Sequence, residues 1–462
     1  MQRISVIDTI KKENEKITVA GWVQARRDHG KIIFIDLRDA SGILQIVFTP
    51  KDKGLYSSAE ELRPEWVVEI SGTAKRRPDK MTNPEIATGN FELEALSLTV
   101  LSRAETPPFP IEGDGYDISE DLRWKYRYID MRRPRILNIL KKRAQAKQFI
   151  REYLSSRGFL EVDTPILTKS TPEGARDFLV PSRMHPGKFY ALPQSPQQYK
   201  QILMVGGVEK YFQFPRCFRD EDLRGDRVLE FDQLDIEMSF IDQEDVLKLV
   251  EELVIEVSEK IVSKKIQKKP FPRMTYNEAI EQYKTDKPDV RTNKIDKESL
   301  AYLWVTDFPM FEKKEDGTIG AAHHPFTAIR DADLEKLKSP EKTFEITAKQ
   351  YDLVLNGNEV FGGSIRTTDP EILTKVFNIL GYSTREIKER FAHILEAFSY
   401  GVPPHGGIAA GFDRWLMAMF GEPSIREVIP FPTSGSGVTS VMEAPSGVDK
   451  KQLLELHIKV VE

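Results

Sequence analysis

The hydrophobic and polar positions of the first hundred residues form short alternating runs that predict β-strands. These runs cover residues 16–23, 31–37, 43–48, 66–74 and 90–98. Turn signals such as Asp-His-Gly at 28–30 and Ala-Ser-Gly at 40–42 separate them. Five short strands with such turns predict a small β-barrel.

Longer, helical spacing appears after residue 120. Apolar residues recur from Ile136 to Leu154 at the spacing of one helix face, and Gly158 follows as a C-cap residue. A second helical stripe runs from Val246 to Ile261. The pattern therefore predicts a mixed α and β region after the barrel.

A segment rich in proline and glycine, residues 104–115, lies between the two regions. Such composition is typical of a linker. We predict a barrel domain over residues 1–103, a linker over 104–120 and a second domain over 121–462.

A strand with one polar face follows a loop of charges. Two rows alternate along it, one polar (Gln233, Asp235, Glu237, Ser239) and one apolar (Leu234, Ile236, Met238, Phe240). The apolar row can anchor a core while the polar row faces a site. Guanidinium groups in the preceding loop suit phosphate, namely those of Arg219, Arg224 and Arg227. The combination predicts a nucleotide-binding sheet, and a charged surface hairpin is the alternative.

A second cluster favours the nucleotide site. Residues 401–420 form a glycine-rich approach to a predicted helix, with Arg414 in its first turn. A helix N-terminus beside an arginine is a suitable seat for a polyphosphate.

Together with residues 158–165, these two segments resemble the three signature motifs of class II aminoacyl-tRNA synthetases, in the same chain order. Four further segments are similar to bacterial aspartyl-tRNA synthetases, namely 171–177, 191–201, 323–327 and 356–366. The resemblance extends from about Ile17 to the C-terminus. It implies an α+β protein with an OB-fold barrel and a class II catalytic domain, an antiparallel sheet flanked by helices.

The resemblance implies that L-aspartate is activated with ATP and Mg²⁺ to aspartyl-adenylate and transferred to tRNA(Asp). It assigns catalysis to Arg219, Arg414 and Glu359, and Mg²⁺ to Asp352 with Glu359. Phe231 and Arg414 would sandwich the adenine, and Glu221 would accept from its amine. The full set assigned to ATP is Arg219, Asp220, Glu221, Arg227, Phe231, Glu359, Gly411, Phe412, Asp413 and Arg414.

The resemblance also assigns an aspartate pocket, formed by Glu173, Ser195, Gln197, Lys200, Arg219, Asp235, His323 and Arg366. Lys200 and Arg366 would face the side-chain carboxylate of the substrate. We expect asparagine to be rejected, because a neutral amide would leave these two charges uncompensated. Glu359 and Arg366 are seven residues apart and would point oppositely on a regular strand, so we predict a bulge at Gly362 and Gly363.

The barrel would bind the tRNA anticodon, with Phe34 stacking a base and Gln45 reading a base edge. The other residues predicted to contact tRNA are Arg26, Arg27, His29 and Arg224. His29 resembles the form found in enzymes that also charge tRNA(Asn), whose product an amidotransferase then converts. A strictly tRNA(Asp)-specific enzyme is the alternative.

Two departures from the family stand out. Bacterial aspartyl enzymes usually carry a large insertion, which here is reduced to residues 292–304. Val228 and Leu229 stand where the family commonly has Gln-Pro, so a side-chain contact to ATP is lost there.

Composition limits how the chain can bind tRNA and in which compartment we expect it. The chain has 67 Lys and Arg against 72 Asp and Glu, a net charge of −5, so tRNA contacts require local basic stripes rather than bulk charge. Cys217 is the single cysteine, which excludes an internal disulfide framework and suits a reducing cytosol. No stretch reads as a signal peptide or membrane span, so we predict a cytoplasmic protein. Residues 161–165 match a homodimer segment of the family.

Three other classes of protein share some of these features. A catalytically silent paralogue that binds RNA would lose phosphate or magnesium groups, yet Arg219, Glu359 and Arg414 are present. An aspartate-amidating enzyme with the catalytic fold would not need the barrel. An asparaginyl-tRNA synthetase would differ at Lys200 and Arg366.

Overall fold

The structure, a computed structural model, describes residues 2–170 and 174–461. The chain forms two compact units, Met1–Gly113 and Asp114–Glu462. Glu173, predicted to contact aspartate, lies outside the described residues. Within the described ranges, no helix combines the length and apolar character that a membrane span requires.

The first unit is a closed five-stranded barrel with strand order β1-β2-β3-β5-β4. Its strands are β1 (Lys16–Asp28), β2 (Ile33–Asp39), β3 (Gly42–Phe48), β4 (Val67–Arg76) and β5 (Phe91–Ser102). Short 3₁₀ helices cover Val6–Lys11 and Asp79–Met81. The predicted barrel is confirmed, because alternate apolar side chains such as Ile33, Ile35 and Leu37 fill its interior.

A helix between β3 and β4 was not predicted. α1 (Lys53–Glu61) begins at Asp52, whose carboxylate accepts hydrogen bonds from the backbone N–H groups of Gly54 and Leu55. This N-cap satisfies donors that the first turn leaves without partners. The apolar spacing of so short a helix is too sparse to be read from the sequence.

The second unit is built on a nine-stranded, mainly antiparallel sheet. Its path is β13-β15-β18-β19-β20-β11-β9-β6, and β10 pairs with β11. The strands of this unit are β6 (Leu160–Glu161), β7 (Leu179–Pro181), β8 (Phe189–Ala191), β9 (Lys210–Gln213), β10 (Arg216–Phe218), β11 (Glu230–Ser239), β12 (Lys265–Ile266), β13 (Arg273–Thr275), β14 (Ser299–Leu300), β15 (Tyr302–Thr306), β16 (Phe311–Lys313), β17 (Ile319–Ala321), β18 (Gln350–Leu355), β19 (Asn358–Ile365) and β20 (His405–Gly411).

Ten α-helices belong to the described part of this unit. They are α2 (Glu120–Lys125), α3 (Arg127–Asp130), α4 (Pro134–Ser155), α5 (Gln197–Val205), α6 (Gln243–Glu256), α7 (Tyr276–Tyr283), α8 (Pro370–Ile379), α9 (Thr384–Ser399), α10 (Phe412–Phe420) and α11 (Lys450–Glu455). A π-helical turn, Val257–Val262, extends α6, and 3₁₀ helices cover Asp331–Lys338, Pro340–Glu345 and Ile425–Val428.

The two predicted helical stripes form α4 and α6, and the helix predicted after the glycine-rich segment is α10. α4 starts with Pro134, whose fixed φ suits a first turn. It ends before Gly158, which takes a φ of +82° while the N–H of Phe159 donates to the carbonyl of Leu154. α6 begins in a capping box between Asp242 and Asp245.

The main core lies between these helices, α10 and the sheet, and includes Leu234, Ile236 and Met238 of β11. Phe240, predicted to continue this apolar row, does not. It follows the end of β11, has a φ of +59° and is 68% exposed. The turn into α6 ends the alternation, which a period-two pattern does not reveal.

Candidate active site

A cavity of about 300 Å³ opens over the polar side of β11, β19 and β20. It brings together most of the residues predicted for ATP and aspartate, which come from five separate stretches of chain. The predicted residues that line it are Ser195, Gln197, Lys200, Arg219, Glu221, Arg227, Phe231, Asp235, His323, Glu359, Arg366, Gly411, Asp413 and Arg414. Adjacent strands make this possible, because β11 pairs with β20 and β20 pairs with β19.

Two buried cations at one end of the cavity are paired with two buried carboxylates. Lys200 Nζ lies 2.6 Å from Asp235 Oδ1 and 3.2 Å from Glu237 Oε2. Arg366 donates from Nε and Nη2 to the two oxygens of Glu237 at 2.9 and 3.0 Å. The protein therefore already supplies two counter-charges to these cations.

Glu237 was missed as a site residue, although it lies in the same polar row as Asp235. Burial alone would raise its pKa, but the charges of Arg366 and Lys200 outweigh burial and lower that pKa to about 2. Burial raises the pKa of Asp235, against the opposing effect of Lys200. The two hydrogen bonds that Glu237 accepts from Arg366 hold that guanidinium in one orientation.

The two neighbouring histidines have different surroundings. His324 Nε2 lies 2.8 Å from Arg366 Nη1, and burial holds the pKa of His324 well below its usual range. A neutral ring can accept this hydrogen bond. His323, the predicted contact of substrate carboxylates, has its Nε2 3.9 Å from Asp352 Oδ2. The sequence analysis assigned only His323 to the substrate. The sequence does not show which of the two adjacent histidines points toward Arg366.

The carboxylates of Asp352 and Glu359 converge over Gly362. A Cβ placed on Gly362 would lie 3.2 Å from Asp352 Oδ1 and 3.3 Å from Glu359 Oε1. Burial and the charge of Glu359 raise the pKa of Asp352 well above its usual range. Within the described ranges, no group of three or more candidate ligands is present. Two hard oxygen donors fit a Mg²⁺ that keeps several water or phosphate ligands.

A β-bulge allows Glu359 and Arg366 to face the same cavity, but it lies earlier in the strand than predicted. Leu353 pairs with Phe361 while Val354 pairs with Glu359, so Val360 is the extra residue on β19. Gly362 and Gly363 pair regularly with Asp352 and Tyr351. The predicted position was wrong because the sequence does not show which residue the partner strand leaves unpaired.

The arginines predicted to bind phosphate surround the other end of the cavity. The guanidinium of Arg219 lies 5.1 Å from the centre of the Phe231 ring. Arg227 donates to Glu221 at 2.8 Å. Arg414 contacts the backbone oxygens of Glu359 and Asp226 at 3.4 Å. Among the described residues, no atom accepts a hydrogen bond from its buried Nε.

Three predicted ATP contacts pack against or pair with other protein groups, namely Asp220, Phe412 and Asp413. Phe412 is fully buried and packs edge-on against Phe214. Asp413 is 1% exposed, and its carboxylate accepts from Arg143 and from the backbone N–H of Asp232. Asp220 lies outside the cavity lining and pairs with Arg176 at 3.4 Å. Val228, where the family has a polar residue, is 6% exposed and lines the cavity.

The barrel carries its own polar surface on β1, β2 and β3. His29 and Phe34 meet edge to face at 5.6 Å, and Arg27 donates to Asp36 at 2.7 Å and to Gln45 at 3.4 Å. Arg26 does not join them, because its guanidinium binds the backbone oxygen of Glu60 at the end of α1. Alternation along β1 separates the two arginines. Arg224 is exposed on the loop before β11.

Comparison with known families agrees with this architecture. Residues 119–435 match the family described as tRNA synthetases class II (D, K and N), and residues 17–101 match the family described as OB-fold nucleic acid binding domain. The chain belongs to the class II tRNA synthetases.

Full-length relatives support the same family. A protein of Halothermothrix orenii named aspartate--tRNA(Asp/Asn) ligase is 42% identical over 580 positions, covering 96% of each chain. One of Staphylococcus saprophyticus, named aspartate--tRNA ligase, is 38% identical and covers 97% of each. The first alignment has 580 positions against 462 residues here, so at least 118 positions have no counterpart in this class II synthetase.

Solved structures share the fold. The asparaginyl-tRNA synthetase of Pyrococcus horikoshii, complexed with asparaginyl-adenylate, superposes with a TM-score of 0.73 at 23% identity, over 91% of this chain and 95% of that one. The aspartyl-tRNA synthetase of Entamoeba histolytica gives 0.73 at 22% identity, over 94% and 91%. At these identities the likeness establishes the fold alone.

Proposed function

We propose that this protein is an aspartate--tRNA ligase, and that its catalytic centre is the cavity over β11, β19 and β20. The observation that carries the proposal is the position of two buried cations, Lys200 and Arg366, in the same cavity as Arg219 and Arg414. The first pair suits a carboxylate side chain, and the second suits a polyphosphate. Such a cavity can hold aspartate and ATP side by side.

In the first step, an oxygen of the substrate α-carboxylate attacks the α-phosphorus of ATP. The bond from that phosphorus to the bridging oxygen breaks, and pyrophosphate leaves with the electron pair. Arg219 would neutralise charge on the α-phosphate, while Arg227 and Arg414 hold the γ-phosphate end. The buried Arg414 Nε, without a partner among the described residues, is a donor that phosphate oxygen would satisfy. Positioning and charge neutralisation supply most of the rate enhancement.

Asp352 and Glu359 would hold Mg²⁺, which would neutralise the negative charge that develops on the phosphates. The raised pKa of Asp352 supports this role, because the repulsion between its carboxylate and that of Glu359 would be relieved by a bound cation. In the second step a ribose hydroxyl at the tRNA 3′ end attacks the aspartyl carbonyl. The carbonyl–phosphate bond breaks, AMP departs, and the hydroxyl proton is lost to solvent or phosphate.

Selection of aspartate over asparagine would use the donors of Lys200 and Arg366. Lys200 has three N–H groups and two carboxylate neighbours, so one more acceptor can be accommodated. Arg366 is held by Glu237, His324 and Ser364. We assign the remaining aspartate contacts to Glu173, Ser195, Gln197, Asp235 and His323.

We further propose that the barrel binds the anticodon through Phe34 and Gln45, with Arg26, Arg27, His29 and Arg224 as additional tRNA contacts. The division proposed for the chain is residues 1–103, 104–120 and 121–462, with 292–304 as the shortened insertion. Charging of tRNA(Asn) as well as tRNA(Asp) is favoured by His29 and by relatives named Asp/Asn ligases. Such an enzyme requires an amidotransferase that converts the product.

A homodimer is proposed as the assembly. Leu160, Ile166 and Leu167, which flank residues 161–165, are each more than half exposed, and large exposed apolar side chains of this kind are typical of an interface. Light scattering after gel filtration tests it. A single cysteine, Cys217, cannot form an internal disulfide, which is consistent with the cytoplasmic location that we propose.

The decisive experiment is aspartate-dependent acylation of separate tRNA(Asp) and tRNA(Asn) transcripts, with ATP–pyrophosphate exchange measured in parallel. Charging of both supports the ligase and its dual specificity. Charging of tRNA(Asp) alone supports the ligase and removes the His29 argument. Exchange that depends on asparagine instead of aspartate overturns the proposal.

A further inference from the structure

Helix α4 directs two cations toward two buried carboxylates, one of which, Asp413, also lines the cavity. Lys147 Nζ lies 2.6 Å from Asp232 Oδ2, and Arg143 Nη2 lies 2.5 Å from the same oxygen. Arg143 Nη1 also binds Asp413 Oδ1. Asp232 and Asp413 are 4% and 1% exposed. These four residues are called the α4 clamp below.

Each carboxylate of the clamp is next in sequence to a residue that we assign to ATP. Asp232 follows Phe231 on β11, and Asp413 precedes Arg414 in the first turn of α10. The two elements are joined directly, because the backbone N–H of Asp232 donates to Asp413 Oδ2 at 2.8 Å. The clamp therefore fixes the start of α10 relative to β11.

Arg143 and Lys147 offset the repulsion between the carboxylates of Asp232 and Asp413. Burial and the charge of Asp232 raise the pKa of Asp413, while Arg143 opposes that rise. For Asp232, burial is outweighed by Lys147 and Arg143, so its pKa is lowered. Removing one cation would leave two carboxylates with less compensation and favour their separation. A shift of this kind is transmitted to the adjoining side chains.

We propose that Lys147 and Arg143 are positioning residues that set the distance between Phe231 and Arg414 and thereby the fit of ATP. This inference rests on the proposed function, because Phe231 and Arg414 are ATP contacts only under that proposal. Neither cation lines the cavity, so their effect passes through Asp232 and Asp413.

The experiment compares the purified full chain with its Lys147→Met, Lys147→Arg and Asp232→Asn variants. Binding of ATP is measured by calorimetry, and KM for ATP and for aspartate by pyrophosphate exchange. We expect Lys147→Met and Asp232→Asn to weaken ATP binding and raise its KM about tenfold, since small misplacements of a binding group have effects of this order. KM for aspartate should change less than about twofold, and Lys147→Arg should restore most of the ATP affinity.

Lys336→Met is the matched control. Lys336 pairs with Asp333 at 2.8 Å at comparable exposure, and neither residue lines the cavity. It should lower the melting temperature without changing ATP affinity. The inference is overturned if Lys147→Met and Asp232→Asn lower the melting temperature as the control does but leave ATP affinity unchanged. If the parent binds ATP yet shows no aspartate-dependent exchange, the proposed function fails, while the calorimetric comparison still decides the role of the clamp.

Discussion

Arg366 and Glu237 form a bidentate ion pair that is almost completely shielded from solvent, with side chains 1% and 0% exposed. The pair joins β11 to the end of β19 across β20. Burying the Arg366 guanidinium without a partner would cost free energy, and the pairing with Glu237 offsets that cost. It also holds the N–H donors of Arg366 in fixed positions. Under the proposed function, the groups that select aspartate are therefore oriented before substrate binds.

Replacing Glu237 tests the value of this pair. We expect Glu237→Gln to lower the free energy of unfolding by about 3 kcal/mol, because it leaves Arg366 buried without its counter-charge. Denaturant unfolding measures the change. KM for aspartate should rise together with this loss, since Arg366 is no longer held in one orientation. A variant as stable as the parent would show that Arg366 finds other compensation.

The stability that the Arg366–Glu237 pair contributes should depend on pH. Glu237 has a folded-state pKa lowered to about 2, against 4.5 for an ordinary glutamate. A lowered pKa contributes stability that is present above the unfolded value and is lost as pH falls through the folded one. The stability difference between the parent and Glu237→Gln should therefore be constant above about pH 5 and shrink between 4.5 and 2. Unfolding curves recorded across this range give the comparison.

Asp352→Asn should increase stability while reducing activity. The folded-state pKa of Asp352 is raised, so stability is present at low pH and is lost as pH rises through that pKa. The amide cannot ionise, so at pH 8 without Mg²⁺ we expect a gain of about 1–2 kcal/mol. Pyrophosphate exchange should fall roughly 100-fold, because one proposed ligand of Mg²⁺ is gone. Equal stability of the two proteins at pH 8 would contradict the crowding of Asp352 and Glu359.

Gly407→Ala should damage the aspartate end of the cavity. A Cβ on Gly407 would overlap Glu237 Oε2 and the backbone oxygen of Ile236, neither of which can move without breaking an ion pair or the sheet. We expect KM for aspartate to rise about tenfold or more, with a smaller effect on KM for ATP. Gly435→Ala is the control, since nothing lies within 4 Å of its Cβ position. Unchanged aspartate kinetics in Gly407→Ala would refute the close packing.

Phe34→Ala should separate tRNA recognition from activation. Phe34 is partly exposed on the barrel and contacts His29, so its removal takes away a stacking surface without opening the barrel core. We expect KM for tRNA(Asp) to rise about tenfold, as loss of one stacked base costs roughly 1–3 kcal/mol. Pyrophosphate exchange without tRNA should not change. A parallel fall in exchange would indicate a folding defect instead.

The spacing of hydrophobic residues was enough to predict a helix or strand wherever one face of that element is buried. The five barrel strands and the helices α4 and α6 follow directly from period-two and helical spacing. The location of the bulge at Val360 did not, because a bulge depends on which residue the neighbouring strand leaves unpaired. α1 was also missed, since its stability comes from a cap at Asp52 and from packing.

Taken by itself, the sequence determined the class of the protein, the order of its domains and most residues of the cavity, because short motifs carry both backbone geometry and chemistry. Only the tertiary structure decided how charges are shared among those residues. It paired Lys200 and Arg366 with Asp235 and Glu237, and it turned Asp413 inward to Arg143. The physical reason is that ion pairing depends on the distance between side chains of strands far apart in sequence, and alternation along one strand does not show which side chains of other strands lie within that distance.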